Sequence, residues 1–513
     1  MLNLTPILRP LFTRRVRQAG GATTREYTEA TQRRVLRWLL SHGADTLWGQ
    51  AHGLDPRMSP YDFASAVAPE TYPAFRPYVE RMMRGEADVL WRGTCRRFAQ
   101  SSGTGDGKSK YIPVTADSLR YNHYAGGSDV VSHYLNLYPD SRIFSGKSFI
   151  LGGSFANEVL DLPRGVRVGD LSANLIEGMP WPASTLRVPD RATALMVDWH
   201  EKLPALARAA AHADITNISG VPSWFLTVLR EVLNLTGAQS IHDVWRNLEV
   251  FFHGGISFEP YQAQYEAITD TSRMRYLETY NASEGFFAVQ DTRERAAGMR
   301  LLLNRGVYYE FIPLDHIDDS TPPTLTAWEV EQGRVYALLI SSCNGLWRYN
   351  IGDTVRILSV DPLRIAIAGR TRSFINAFGE ELMVYNAEAA LSATCAATGA
   401  AVANYTAAPV FTTERSHGRH QWLIEWNTPP ADIEAFANLL DSNLQAVNSD
   451  YQAKRAGSIF LDRLSITTAR PGLFDQWLAS TGKLGGQRKV PRLSNSRDTI
   501  DAMLIFNNKQ FNI

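Results

Sequence analysis

Apolar residues first recur at helical spacing between residues 26 and 50. Val35, Leu36, Trp38, Leu39 and Leu40 form a stripe on one face, which predicts a helix there. Runs rich in β-branched and aromatic residues then predict strands at 142–151, 248–252, 275–280, 333–341 and 353–359. Helical spacing returns at 192–213 and 223–233, the second just after Gly220-Val-Pro-Ser, where a proline in the first turn marks a helix start. Alternating strands and helices over some 370 residues predict layered α/β structure.

The pattern changes near residue 370. A strand at 365–369 ends in Gly-Arg-Thr-Arg, and an alanine-rich helix fits 386–396. Strand alternation at 402–411 and 422–426 precedes a helix at 431–448 with apolar Ile433, Phe436, Leu439, Leu440, Leu444 and Val447. The expected fold class is therefore α/β: a large N-terminal domain over 1–370 and a small, mobile α+β domain over 371–513, with the boundary in Gly369–Gly379.

Composition narrows the function classes. The chain has 513 residues, too many for one core. Its 52 basic and 52 acidic residues cancel, so electrostatics give no case for nucleic acid or an anionic membrane as the main partner. Cys95, Cys343 and Cys395 are far apart and form no C-x-x-C pair, which suits a reducing cytosol and predicts a cytoplasmic protein. Residues 1–25 hold five arginines and no acid, and Pro6, Arg9, Pro10, Arg14 and Arg15 interrupt any signal-like apolar core. An amphipathic first helix fits this segment better.

The densest chemistry lies at Ser101-Ser-Gly-Thr-Gly-Asp-Gly-Lys-Ser-Lys110. Three glycines let backbone N–H groups converge, and hydroxyls and ammoniums add donors, which suits a loop around phosphate. A P-loop would need a glycine at 102, where Ser102 stands, and would open a helix. Pro113 in the β-branched run Tyr111-Ile-Pro-Val-Thr argues for a strand instead. The expected element is a glycine-rich loop between two strands, gripping ATP. The bland alternative is a flexible surface turn.

Three further segments carry candidate chemistry. Phe252-His-Gly254-Gly255 ends an apolar run with bare backbone, as close approach of an adenine ring needs. Tyr280-Asn-Ala-Ser283-Glu284-Gly285 offers a hydroxyl and a lone carboxylate, a donor set suited to Mg²⁺ shared with phosphates. Asp353 follows Gly352 and could accept from ribose hydroxyls. Singly, each has a structural reading: His253 as a core histidine, Glu284 and Asp353 as turn caps, Tyr280 and Trp347 as core aromatics.

Order and spacing join them. Ser101-Ser102-Gly103-Thr104-Gly-Asp-Gly-x-x-Lys110, Tyr280-x-x-Ser283-Glu284-Gly285 and Arg348-Tyr-x-x-Gly352-Asp353 resemble the three motifs of the adenylate-forming superfamily. The nearest resemblance is to the auxin-responsive Gretchen Hagen family of acyl-acid amido synthetases, as a bacterial-type member. Tyr309-Glu-Phe-Ile-Pro313 and Gly486-Gln-x-Lys489-x-Pro491-Arg492 resemble further landmarks of the family, and Gly369-Arg370 through Gly379-Glu380 resembles the superfamily hinge. Gly105 and Asn350 depart from the pattern.

The resemblance implies two half-reactions. A small carboxylic acid attacks the α-phosphate of MgATP, and an amine, usually an amino acid's, then displaces AMP. It also implies roles. Ser101, Ser102, Thr104 and Lys110 would hold the β- and γ-phosphates, and Glu284 would hold Mg²⁺ with Ser283 near the α-phosphate. Asp353 and Arg370 would clamp ribose, and Lys489 would arrive from the small lid domain, with Lys483 as a competitor. Val221, Pro222, Trp224 and Phe252 are candidate walls of the acid pocket, though ordinary core positions too. A thioester-forming ligase and a non-catalytic nucleotide-binding protein are the competing readings.

Overall fold

The computed structural model describes residues 3–20, 24–101, 110–155, 162–255, 258–317, 319, 321–370, 374–375, 380, 382–410, 418–448, 451–452, 455, 461–481, 490–494 and 496–508. The chain forms two compact units. One comprises Met1–Ile351 and Val355–Ala366, the other Gly352–Thr354 and Ile367–Ile513.

Fifteen strands build two sheets: β1 (Arg97–Ser101), β2 (Lys110–Pro113), β3 (Lys147–Ile150), β4 (Arg167–Gly169), β5 (Arg187–Val188), β6 (Ile215–Gly220), β7 (Val250–Gly254), β8 (Arg275–Ala282), β9 (Gly285–Val289), β10 (Met299–Leu301), β11 (Val307–Pro313), β12 (Leu325–Thr326), β13 (Val335–Ser342), β14 (Leu346–Val360) and β15 (Leu363–Arg370). A three-stranded sheet runs β2-β1-β4. A twelve-stranded one runs β12-β11-β13-β14-β15-β10-β9-β8-β7-β6-β3-β5. β5, β3, β6, β7 and β8 are mutually parallel, whereas β8 and β9 form an antiparallel pair.

Two predicted helices are each broken, for local reasons. Thr24 caps Arg25–Gly43, which buries Val35, Leu36, Leu39 and Leu40. The helix stops at Gly43, where a Cβ would lie 2.1 Å from the Trp347 ring. Thr46 Oγ1 then accepts from Gly49 N at 3.0 Å and starts the short helix Leu47–Ala51. Likewise 192–213 divides into Arg191–Ala194 and Trp199–Ala211, the second capped by Asp198, which accepts from His200 N at 2.8 Å. The arginine-rich first segment is the helix Thr5–Gly20. Its Arg9 donates to Leu135 O and Ser141 O, at and beyond the end of helix Tyr124–Leu137.

One buried ion pair fastens several of these pieces. Arg348 on β14 is 2% exposed and adopts a positive φ of 42°. Its Nε donates to both carboxylate oxygens of Glu310 on β11, at 3.1 and 3.0 Å. Nη1 donates to Ala64 O at 2.7 Å and to Val67 O, at the end of helix Pro60–Ala66. Nη2 donates to Thr324 Oγ1 at 2.7 Å, and that hydroxyl donates to Glu310 at 3.1 Å. Arg348 of the third motif and Glu310 of the Tyr-Glu-Phe-Ile-Pro landmark are thus one structural device.

The second unit is a sandwich of helices on a small sheet. After the short β16 (Phe374–Ile375) and β17 (Leu382–Met383), the sheet runs β18 (Ala401–Val410), β19 (Arg419–Thr428) and β20 (Ser465–Ala469). Trp422 and Ile424 point to one cluster, with helices Val384–Thr398 and Ile433–Val447. Leu423 points to the other, with helices Leu473–Ser480 and Asp498–Asn508. Glu380, from the hinge-like motif, is fully buried and pairs with His420 Nε2 at 2.8 Å.

Removing one partner of a sealed ion pair strands the other. Glu310→Gln should therefore destabilise the first unit by about 3–5 kcal/mol, read as a lower urea midpoint. A change below ~1 kcal/mol would show that Arg348 finds its charge balance elsewhere.

Candidate active site

Parallel strands place their C-terminal ends along one edge, and three of the candidate segments begin there. Val221 and Pro222 follow β6, Gly254 ends β7 with Gly255 after it, and Ser283 and Glu284 follow β8. Ligands of open α/β sheets bind at this end, since the loops leaving it can converge.

Ser283 and Glu284 form a two-residue turn between β8 and β9, closed by the pair Ala282↔Gly285. Hairpin tips are ordinarily solvated, yet Ser283 is 3% and Glu284 7% exposed. Asparagines fix the turn. Asn344 Nδ2 donates to Glu284 O at 3.0 Å. Asn122 Oδ1 accepts from Phe286 N at 2.6 Å, while its Nδ2 donates to Phe286 O at 3.0 Å. A buried carboxylate is costly to hold, and this one is held in place by its backbone.

Gly254 presses directly against the strand that leads into that turn. A Cβ on it would lie 2.4 Å from Thr279 O, so only glycine fits. Tyr280, next along β8, is buried edge-on to Phe287 with centroids 5.0 Å apart. His253 is 1% exposed and lies flat on Phe258 at 4.4 Å, both ring nitrogens without a partner. Burial, aided by the charge of Arg295, pushes its pKa down to about 3 and keeps the ring neutral at physiological pH.

The glycine-rich segment is flanked by strands, as its sequence predicts. β1 and β2 pair antiparallel, with Ser101 opposite Lys110 and Pro113 on an edge strand. Ser102, Gly103 and Thr104 lie outside the described residues, as does the side chain of Ser101. The Tyr72 hydroxyl accepts from Tyr111 N at 2.7 Å and so holds β2 in place. Burial raises its pKa to about 12, so it stays neutral. Lys110 Nζ donates to Tyr349 Oη at 3.5 Å and stands 6.0 Å over the Tyr72 ring. Two residues past β2, Thr115 Oγ1 donates to Cys343 O at 2.7 Å. Cys343 adjoins Asn344, so the hairpin and the Ser283-Glu284 turn share one scaffold.

The other candidates are placed as follows. Asp353 is buried on β14 and belongs, with Gly352 and Thr354, to the second unit. Arg370 ends β15, its side chain outside the described residues, and Lys483 and Lys489 lie outside them entirely. Pro222 O accepts from Tyr265 Oη at 2.7 Å, and Trp224 is half-buried on the helix Pro222–Thr236. Phe252 points to the opposite face from His253. It meets the Tyr134 ring at 90° in a cluster with Leu277 and Phe286, which is a core environment. Asn122, Asn344 and Thr115 carry no pattern in sequence, because their partners lie from 60 to 228 positions away.

Comparison with known proteins agrees with this architecture. A solved GH3.15 acyl acid amido synthetase superposes with a TM-score of 0.76 at 17% identity, covering 94% of each chain. A 2-hydroxyisobutyryl-CoA ligase, in the postadenylation state with an acyl-AMP, gives 0.58 at 12% identity over 94% of this chain and 91% of that one. The fold is that of the adenylate-forming ligases. Models of the GH3 family N-terminal, central and C-terminal domains match residues 22–274, 300–370 and 385–498. The chain belongs to the GH3 family, whose members join an acyl acid to an amine. Among its relatives is a probable indole-3-acetic acid-amido synthetase, GH3.2 of Oryza sativa subsp. japonica, 23% identical over 90% of this chain and 88% of the relative. Another is the jasmonoyl-L-amino acid synthetase GH3.5 of the same plant, 24% identical over 64% and 67%.

Asn344→Ala removes the donor that fixes Glu284 O. The lost interaction, about 1–3 kcal/mol, should lower acid-dependent ATP–pyrophosphate exchange roughly 5- to 150-fold. A lower melting temperature with unchanged turnover would reduce Asn344 to scaffold.

Proposed function

We propose that this protein adenylates a small carboxylic acid with ATP at the shared strand edge and passes the acyl group to the amine of an amino acid. The buried Ser283-Glu284 turn carries this reading, because it sets a hydroxyl and a carboxylate at the C-terminal edge of the parallel strands, where ligands of open α/β sheets bind. No helix among the described residues is long and apolar enough to cross a membrane, and the scattered cysteines support a cytoplasmic setting.

The chemistry follows from charge. A carboxylate is a poor electrophile because oxide leaves badly. Its oxygen attacks the α-phosphorus, the bond to the bridging oxygen breaks, and pyrophosphate departs, leaving a mixed anhydride with AMP. The amine nitrogen then attacks the acyl carbon, the carbon–oxygen bond breaks to release AMP, and the nitrogen loses a proton. Two anions meet in the first step, so donors and positive charge must surround the phosphates. Ser101, Ser102, Gly103, Thr104 and Lys110 supply them from the β1–β2 hairpin. Gly254 and Gly255 offer bare backbone to adenine beside Tyr280, and Asp353 and Arg370 take the ribose.

Glu284 also fits magnesium. A lone carboxylate suits an ion that keeps its waters and shares oxygens with the phosphates, and among the described residues no group of three or more ligating side chains gathers. When bound, magnesium would neutralise phosphate charge. Ser283 would lie near the α-phosphate. Lys489 approaches it late, carried by movement of the second unit about the segment near 370. Val221, Pro222 and Trp224 are the proposed walls for the acid, whereas Phe252 packs in the core.

Exchange of labelled pyrophosphate into ATP, screened across an acid library, tests the first half-reaction. Some acid should support exchange, and silence across a broad library would favour a non-catalytic nucleotide-binding protein. With preformed adenylate, amino acids should release AMP faster than thiols; the reverse order would make it a thioester-forming ligase.

Lys489→Ala should suppress exchange by roughly 10²–10³ while ATP binding holds. Equal loss of ATP affinity would contradict a late-arriving lysine. Glu284→Gln should raise the magnesium concentration needed for half-maximal exchange, and an unchanged magnesium profile would place the ion elsewhere.

A further inference from the structure

The parallel strands β3, β6, β7 and β8 all end at the proposed catalytic edge. The loop leaving β3, Leu151-Gly-Gly-Ser154, takes no part in the steps above, yet each of its residues is tied down. Leu151 N donates to Ser219 O on β6 at 3.3 Å, just ahead of Val221. Gly153 N donates to Ser172 Oγ at 2.8 Å. Ser154 N donates to Asp170 Oδ2 at 2.9 Å, and Ser154 O accepts from Asp170 N at 3.0 Å. Loop and carboxylate approach so closely that a Cβ on Gly153 would lie 1.8 Å from Asp170 Oδ2.

A buried cation holds the two glycine carbonyls. Lys202, on the helix Trp199–Ala211, is 3% exposed, and its Nζ donates to Gly152 O at 2.6 Å and to Gly153 O at 3.3 Å. Burying an ammonium is costly, and a neutral donor could satisfy two carbonyls with a smaller desolvation penalty. Burial pushes the Lys202 pKa down to about 8, and the Asp170 carboxylate opposes that shift. Asp170, itself 7% exposed, is the charged group that faces Lys202 among the described residues.

Asp170 leads on to the ATP side of the site. It directly follows β4, which pairs with β1, the first strand of the phosphate hairpin. It also precedes the helix Leu171–Glu177, whose Asn174 Nδ2 donates to Phe98 O on β1 at 3.2 Å. The small sheet that carries the hairpin and the long sheet that carries the acid edge share no strand. Lys202, the β3 loop and Asp170 join them where the parallel strands end.

We propose that Lys202 is a positioning residue for adenylation, which through the β3 loop and Asp170 sets the acid edge of the long sheet against the phosphate hairpin of the small one. The inference rests on the adenylating reading. Attack on the α-phosphorus needs both reactants aligned, and a misplacement of about 1 Å can cost ~10²-fold in rate. Lys202 acts through the loop and not on a substrate, so its loss should reach the maximal rate more than either affinity.

With any acid that supports exchange in the wild-type chain, Lys202→Met should lower the maximal rate of pyrophosphate exchange roughly 10- to 100-fold, with half-saturating acid and ATP concentrations nearly unchanged. The wild-type rate should fall as pH rises through about 8, where Lys202 loses its charge and its bonds to the carbonyls weaken. Lys202→Met should lack that alkaline limb. Asp170→Asn removes the charge that raises the lysine's pKa, so it should move the limb to lower pH, and it serves should Lys202→Met fail to fold. Deuterium uptake needs no turnover: Lys202→Met should speed it at 97–101 and 167–174 as well as at 151–155. An unchanged maximal rate, equal losses of rate and of both affinities, or faster uptake confined to 151–155 would overturn the proposal. So would an alkaline limb that stays in place in both variants. Silence with every acid would overturn the adenylating reading, and the proposal with it, even where uptake shows the coupling.

Discussion

Arg348 occupies a backbone conformation that non-glycine residues rarely adopt, with φ at 42°, and its guanidinium is sealed from water. Such a residue persists only when its surroundings over-determine it. They do so here: its hydrogen bonds run to Glu310, Thr324, Ala64 and Val67. Strand β11, strand β14 and the helix Pro60–Ala66 are therefore locked at one point. The backbone on either side is used as well, since Glu70 N donates to Arg348 O at 3.0 Å and Asn350 N to Glu70 O at 2.8 Å. Tyr349, the residue in between, is the acceptor for Lys110. Lys110, a candidate phosphate ligand, thus bonds to the residue next to the one this ion pair fixes.

The same economy recurs at the Ser283-Glu284 turn. Burial at a hairpin tip requires partners for its backbone groups: Asn344 supplies one to Glu284 O, and Asn122 holds Phe286, the second residue of β9. Thr115 ties the hairpin side of the site to the same neighbourhood through Cys343. Small amides and a hydroxyl do this part of the positioning. The neutral, buried His253 is structural as well: it fills space between Phe258 and the sheet rather than moving protons.

Fold and family were legible because their signals are local. Hydrophobic periodicity depends on residues three or four apart, or two apart in a strand, so most predicted elements are present at nearly the predicted places. The single helix expected at 26–50 is the instructive exception. The helix ends at Gly43, a residue that must be glycine because the ring of Trp347, some three hundred positions away, packs against it, and no local pattern encodes that contact. The halves of 192–213 were separable in principle, since Asp190 and Asp198 are both capping residues. Arg348 was legible as part of a motif but not as a structural clamp, because its partner Glu310 sits in a different motif.

The sequence by itself determined the strand–loop–strand setting of the glycine-rich segment, the helical and strand periods of both units and the family resemblance. These rest on backbone conformational preference and on residue types at fixed short spacing. Only the tertiary structure decided that Val221, Gly254 and Glu284 share one edge, and that Phe252 faces a core cluster while its neighbour faces another. Those facts depend on strand order and on pairings across many tens of residues, where an order that is almost arbitrary in sequence becomes fixed only when the sheet closes its hydrogen bonds.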